Sequence, residues 1–237
     1  MPQGLEVYND KGVLQVGAHP TMEVYSFWNI PSTGWSQITF PSLPNFYRRS
    51  FSVTVPNSEC FLAFSGEGNG VVGVSGYTIS GTTHTLELTT TSASDAAKCQ
   101  IYLLGPARDT STWGGLEVWD EAGKKLFNAA GEPVQVSGVY PSVPSMNQPP
   151  LSYAFPTHTV SHTGSRALVP VINFLIGGMS FSNGAGGFFN AHFSYGFQFT
   201  ALRSVRLRLV FCSGGAGPSP NTGWAGTFPF PIFSILA

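Results

Sequence analysis

A chain of 237 residues with only 10% charged side chains and a net charge of −1 excludes a nucleic-acid-binding surface built on dense Lys and Arg. Its 42% hydrophobic and 14% aromatic content excludes disorder, because that much apolar surface can form a core. The longest apolar run, residues 167–181, is broken by Pro170, Gly177 and Gly178 and is too short for a membrane helix, so no membrane insertion is expected.

The first landmark along the chain occurs twice. Gly4 to Gly12 reads GLEVYNDKG, and Gly115 to Gly123 reads GLEVWDEAG, with eight of nine positions identical or closely replaced. The offset is 111 residues, near half the chain, which indicates an internal duplication. In each copy Leu and Val alternate with Glu and an aromatic residue, the period-two pattern of a half-buried strand. An Asn or Asp followed three residues later by Gly supplies turn chemistry, and an apolar stretch returns. Each copy predicts a β-hairpin opening one half of the chain.

Between the hairpins the pattern predicts strands over 22–28, 35–40, 51–55, 60–64, 71–74, 77–79, 84–89 and 100–104, with one helical turn over 92–98. The second half predicts strands over 134–139, 167–174, 179–181, 187–194, 197–201 and 205–212, separated by a five-proline loop over 140–156. No stretch carries a helical period of ten residues or more. Many short strands with turns between them predict an all-β chain of two tandem, related β-sandwich-like domains, 1–110 and 111–212. The Gly/Pro-rich remainder, 213–237, predicts an extended C-terminal arm, because its prolines argue against a central strand.

The repeated opening carries a resemblance. Gly-Leu-X-Val-aromatic-Asn/Asp-X-X-Gly followed by an apolar return strand, as at Gly4–Gly12 and Gly115–Gly123, resembles the start of small virion proteins of tailed bacteriophages. Those proteins belong to tail tips, baseplates and fibres. The match covers roughly the first dozen residues of each half. It implies a non-enzymatic structural component of the tail, assembled in the host cytoplasm. It also implies a homo-oligomer, most often a trimer, in contact with other tail or baseplate proteins and with a bacterial surface receptor. The alternative is a carbohydrate- or receptor-binding module. For that reading Trp28, Trp35, Trp113, Trp119 and Trp224 are the candidate stacking residues.

Side chains that could carry chemistry are sparse. All 12 acids lie in residues 1–132, with 7 bases; residues 133–237 hold only Arg166, Arg203, Arg206 and Arg208. Opposite net charge would draw the halves, or neighbouring subunits, together. Arg206 and Arg208 alternate with Val205, Leu207 and Leu209 and are expected to face outward together. His158 and His162 have the spacing of a metal pair on a helix, but in a β-branched stretch they stand about 13 Å apart on one side of a strand. No metal or other cofactor is expected. Glu117, Asp120 and Glu121 could supply paired carboxylates, yet they fall in and beside the hairpin turn, and a turn role explains them better. The glycine-rich stretch 182–187 has neither the lysine nor the following helix of a phosphate cradle and reads as a hairpin tip. Cys60, Cys99 and Cys212 form no paired spacing and read as buried thiols of a protein made in a reducing compartment. No catalytic residue is assigned, and the binding residues stay unassigned.

Overall fold

The computed structural model describes residues 7–8, 14–16, 22–40, 43–108, 117–128, 132–141, 155–160, 166–171, 175–182, 186–217, 223–224 and 230–235. Its strands in the first half are Val7–Tyr8 (β1), Leu14–Val16 (β2), Met22–Asn29 (β3), Ser36–Ile38 (β4), Phe46–Thr54 (β5), Phe61–Gly66 (β6), Gly70–Ser80 (β7), Thr83–Thr90 (β8) and Cys99–Pro106 (β9). One helical turn, Ala93–Ala96 (α1), sits before β9, with the Ser92 side chain accepting from the Asp95 amide at its start. The second half contributes Glu117–Trp119 (β10), Lys125–Asn128 (β11), Pro133–Tyr140 (β12), Thr157–Thr159 (β13), Ala167–Pro170 (β14), Leu175–Ser182 (β15), Phe188–Ala201 (β16), Ser204–Gly217 (β17), Gly223–Trp224 (β18) and Phe230–Ile235 (β19). The all-β expectation holds. Among the described residues no helix is long and apolar enough to cross a membrane.

Two small sheets are the hairpins β1-β2 and β10-β11. The remaining strands form a closed barrel, in the order β12-β19-β14-β6-β9-β3, and a nine-stranded sheet along β13-β17-β16-β7-β8-β5-β4, with β15 beside β16 and β18 beside β15. Every pairing is antiparallel. β3, β5, β6, β7, β8 and β9 can be matched in turn with β12, β13, β14, β16, β17 and β19. The barrel then runs β3-β9-β6 followed by β14-β19-β12, and the sheet runs β5-β8-β7 followed by β16-β17-β13. Each half winds back and forth between barrel and sheet in the manner of a jelly roll. The halves meet at three seams, each between matched strands: β3 with β12, β6 with β14 and β7 with β16.

This arrangement corrects two expectations. Residues 1–110 and 111–212 are not separate sandwiches, because the barrel and the large sheet both run across the seams and one apolar cluster, from Ile30 to Ile232, spans them. The described parts of 213–237 are not an arm either. Residues 213–217 finish β17, and β19 lies in the barrel wall between β12 and β14. Pro231 lies opposite Val139 of β12, near the start of β19 and outside the part of the strand that β14 pairs, Phe233 and Ser234.

Alternation sends barrel side chains to two places. Leu62 and Phe64, Ile101 and Leu103, Ala167 and Val169, and Phe230 and Ile232 join the large sheet's core, meeting Phe197, Phe199, Leu86 and Leu207. A second cluster takes a side chain from each of the six barrel strands: Val24, Ala63, Tyr102, Leu104, Val134, Leu168 and Phe233. Rings carry much of the packing. Phe61 and Phe233 approach to 5.8 Å although β14 lies between their strands, and Phe230 stacks on Tyr140 at 5.1 Å.

Candidate functional site

A partly buried ionic cluster lies on barrel strand β3, near the second hairpin. β3 carries one acid, Glu23, in the otherwise apolar run Met22 to Tyr25, and its residue is only 1% exposed. Glu23 is opposite Gly105 on β9 and opposite Pro133 at the β3–β12 seam. The chain leaving β9 turns back over it. The Arg108 amide donates to Glu23 Oε2 at 3.3 Å, the guanidinium Nε stands 3.9 Å from the same oxygen, and Nη2 donates to the Val24 carbonyl. The guanidinium also covers the Tyr25 ring at 4.3 Å, and the Tyr25 hydroxyl donates to the Pro106 carbonyl at 2.6 Å. From the hairpin, buried Lys125 donates to Glu117 Oε1 at 2.7 Å and lies 4.5 Å over the Trp119 ring. Lys124 reaches Glu59, 3.9 Å away on the β5–β6 connection.

Burial pushes the Glu23 carboxyl above its ordinary range, against the lowering pull of the Arg108 amide and guanidinium and of Lys125. Glu23 Oε1 has no hydrogen-bond partner. Burial also pushes the Tyr25 hydroxyl up to about 12 and raises the Cys60 thiol beside it. A raised carboxyl in a cleft would be a candidate general acid. Here Arg108 and Tyr25 lie against it, so the cluster acts as a clasp between β3 and the chain leaving β9, with the Lys125 charge of the second hairpin acting on the same carboxyl. Glu23 titrates at higher pH in the folded chain than in the unfolded one. The folded state therefore loses stability as pH rises from the unfolded value, near 4.5, through the higher folded value, and regains it on acidification. Glu23→Gln should raise the melting temperature at pH 8 and leave it nearly unchanged at pH 4. Differential scanning fluorimetry across that range checks it; a variant that melts lower at both pH values would refute the clasp's sign.

The other sequence candidates have plain places. Asp120 Oδ1 accepts from the Ala122 and Lys124 amides at 2.9 and 2.7 Å, and Gly123 takes φ +77, so the hairpin turn accounts for both residues. Glu121 is exposed and Glu117 is held by Lys125, so the three acids do not converge. His158 lies on β13 with its ring against Gly138 of β12, and Nε2 is buried without a hydrogen-bond partner. His162 lies outside the described residues, and among those described no three His, Cys, Asp or Glu side chains group as metal ligands. Residues 183–185 also lie outside them, but Ser182 pairs with Phe188 across an antiparallel connection, as a hairpin tip requires.

Arg206 and Arg208 do share the face opposite the core, yet both turn onto one acceptor, Gln198 Oε1, at 2.8 and 3.3 Å. Trp28 packs on the core edge-on to Phe51, and Trp35 packs there too, donating to the Pro31 carbonyl. Trp119 is 44% exposed. Trp113 and the Trp224 side chain lie outside the described residues. All three cysteines are buried free thiols, and burial pushes Cys212 up to about 12 and raises Cys99 further. The Glu23–Arg108 contact was not foreseen from sequence; its one signal was a lone acid inside an apolar strand. No family model, no curated protein and no solved structure matches this chain.

Proposed function

We propose that the chain is a non-enzymatic structural subunit of a bacteriophage tail, in the tip, baseplate or fibre, and that it works as a homotrimer contacting other tail proteins and the host surface. The observation that carries this reading is the twice-occurring GLEV opening, which the resemblance ties to tail virion proteins. Both copies form hairpins with the same register. Val7 pairs with Val16 and Tyr8 with Leu14; 111 residues on, Val118 pairs with Phe127 and Trp119 with Lys125, with the irregularity at the same step. The motif therefore marks the same local structure twice. Phe27, Val136 and Val139 are more than half exposed on barrel strands, which suits a subunit whose apolar surface is covered by neighbours. A closed symmetry would cover such surface without open-ended growth.

Mass spectrometry of purified phage particles should find this chain at fixed stoichiometry. Light scattering of the purified protein should give three times the 25.3 kDa chain mass. A chain absent from particles and monomeric at high concentration would overturn the reading.

A further inference from the structure

One face of the barrel carries an exposed ring beside a fixed polar network. Phe27 of β3 is opposite Tyr102 of β9, and their rings stack at 5.5 Å. Two residues along the same strands Asn29 is opposite Gln100, so alternation puts both pairs on one face. The Gln100 amide donates to Asn29 Oδ1 at 2.8 Å, while Gln100 Oε1 accepts from Arg166 Nη1 at 2.7 Å and from the Tyr102 hydroxyl at 3.0 Å. These bonds fix the planes of both amides and of the guanidinium. They leave donors over: among the described residues nothing accepts from the Asn29 side-chain amide or from Arg166 Nε and Nη2. Asn29 is exposed, and Phe27 is 53% exposed although it is large and apolar. Arg166 has no acid within ion-pair distance among the described residues.

We propose that this face binds a sugar unit bearing a carboxylate, with the apolar side of the sugar ring on Phe27, its hydroxyls at Asn29 and its carboxylate on the Arg166 guanidinium. A structural role accounts for the Phe27–Tyr102 stack, which joins β3 to β9, but not for the polar groups aligned and left with spare donors beside it. Size argues against a protein as the occupant. A stable protein interface takes about 800 Å² from each partner, around an apolar centre. Here a single exposed ring is bordered at once by two amides and a cation. The amide pair lies about 7 Å along the strands from the ring pair, so a sugar resting on Phe27 has its rim hydroxyls beside Asn29. Charge then selects among sugars. An unpaired guanidinium offers a planar fork of donors that fits a carboxylate at two points. The Glu132 charge acts, with that of Arg166, on the Tyr102 hydroxyl, but it forms no ion pair with Arg166. Because the network already holds these groups in place, binding costs little side-chain ordering.

The site names the chemistry of the host contact and rests on that reading for its partner; the test separates the two. The full chain on an array of acidic and neutral oligosaccharides should hold those containing a hexuronic acid. Reducing that carboxylate to an alcohol should weaken binding by about tenfold or more in calorimetric titration. Phe27→Ala should do the same with an unchanged melting curve, whereas Phe27→Trp, which keeps a stacking face, should still bind. If Phe27→Ala lowers the melt, Asn29→Ala at an exposed position takes its place and must weaken binding while leaving the melt alone. No binding anywhere on the array, or binding that survives the reduction or the substitutions, overturns the site and leaves the chain's presence in phage particles standing. A chain absent from particles that still binds the acidic sugars overturns the tail reading and keeps the site.

Discussion

Removing Phe230–Ala237 should abolish folding, with loss of the cooperative melt and of the strand signal in circular dichroism. β19 is flanked by two ladders, from Val134–Tyr140 on one side and from Ala167–Leu168 on the other. Without it, β12 would keep only two paired positions, to Met22 and Glu23. The barrel would open along its length, and the second cluster would lose Phe233 with its ring partner Phe61. Phe230 and Ile232 leave the large core at the same time; Ile232 is fully buried, and Phe230 sits between the rings of Tyr140 and Phe197. Three buried apolar side chains at roughly 1.5–3 kcal/mol each amount to about 5–9 kcal/mol, against a typical total stability of about 5–15 kcal/mol. The single change Ile232→Ala should cost about 2–5 kcal/mol and lower the denaturation midpoint without changing the slope. A truncated chain that still melts cooperatively would show that the barrel closes without β19.

What the sequence made legible follows period and turn chemistry. The alternation of Phe51 to Val55 and of Val205 to Leu209, and the Asp120 to Gly123 turn, correspond to β5, β17 and the β10–β11 connection. The errors share a physical cause: glycine and proline were read as breaks where they sit inside paired strands. Gly76 lies within β7 and Gly196 within β16, so two expected strands became one long strand in each case. Pro231 hid β19 by the same reading. Division into two sandwiches failed for a different reason. A strand edge looks the same in sequence whether it ends a sheet or meets its counterpart, so nothing in β6 or β14 signals a seam. The clasp was illegible because Glu23 and Arg108 are 85 residues apart and meet only through the return of the chain over β3. Arg206 and Arg208 were placed on the right face, but their shared acceptor, Gln198, comes from the neighbouring strand.

Gly196→Val should be the most damaging point change at the β7–β16 seam, costing more than about 3 kcal/mol, beyond the usual range for overpacking. Gly196 is paired with Gly73, and Val210 of β17 lies over both. A Cβ on Gly196 would stand 2.8 Å from Val210 Cγ1, 2.9 Å from the Val72 carbonyl oxygen and 3.2 Å from Gly73 Cα. Two of those atoms are backbone held in a ladder, so relief requires parting the strands that join the halves. At about 2–4 °C per kcal/mol the melting temperature should fall by roughly 6–12 °C or more. Gly73→Ala differs in kind. Its Cβ would meet Val210 Cγ2 at 2.5 Å and Gly196 Cα at 3.0 Å, so the tightest neighbour is a side chain that can be shortened. Gly73→Ala and Val210→Ala should each destabilise, the first by crowding and the second by a cavity, while the double variant should cost less than their sum by about 1 kcal/mol or more, because the new methyl fills the space the valine leaves. Val210→Ala should give Gly196→Val much less relief, since the carbonyl of Val72 remains in the way. Urea melts of the three single and two double variants measure both couplings, and strict additivity for Gly73 with Val210 would show that Val210 is not what keeps these two strands bare of side chains.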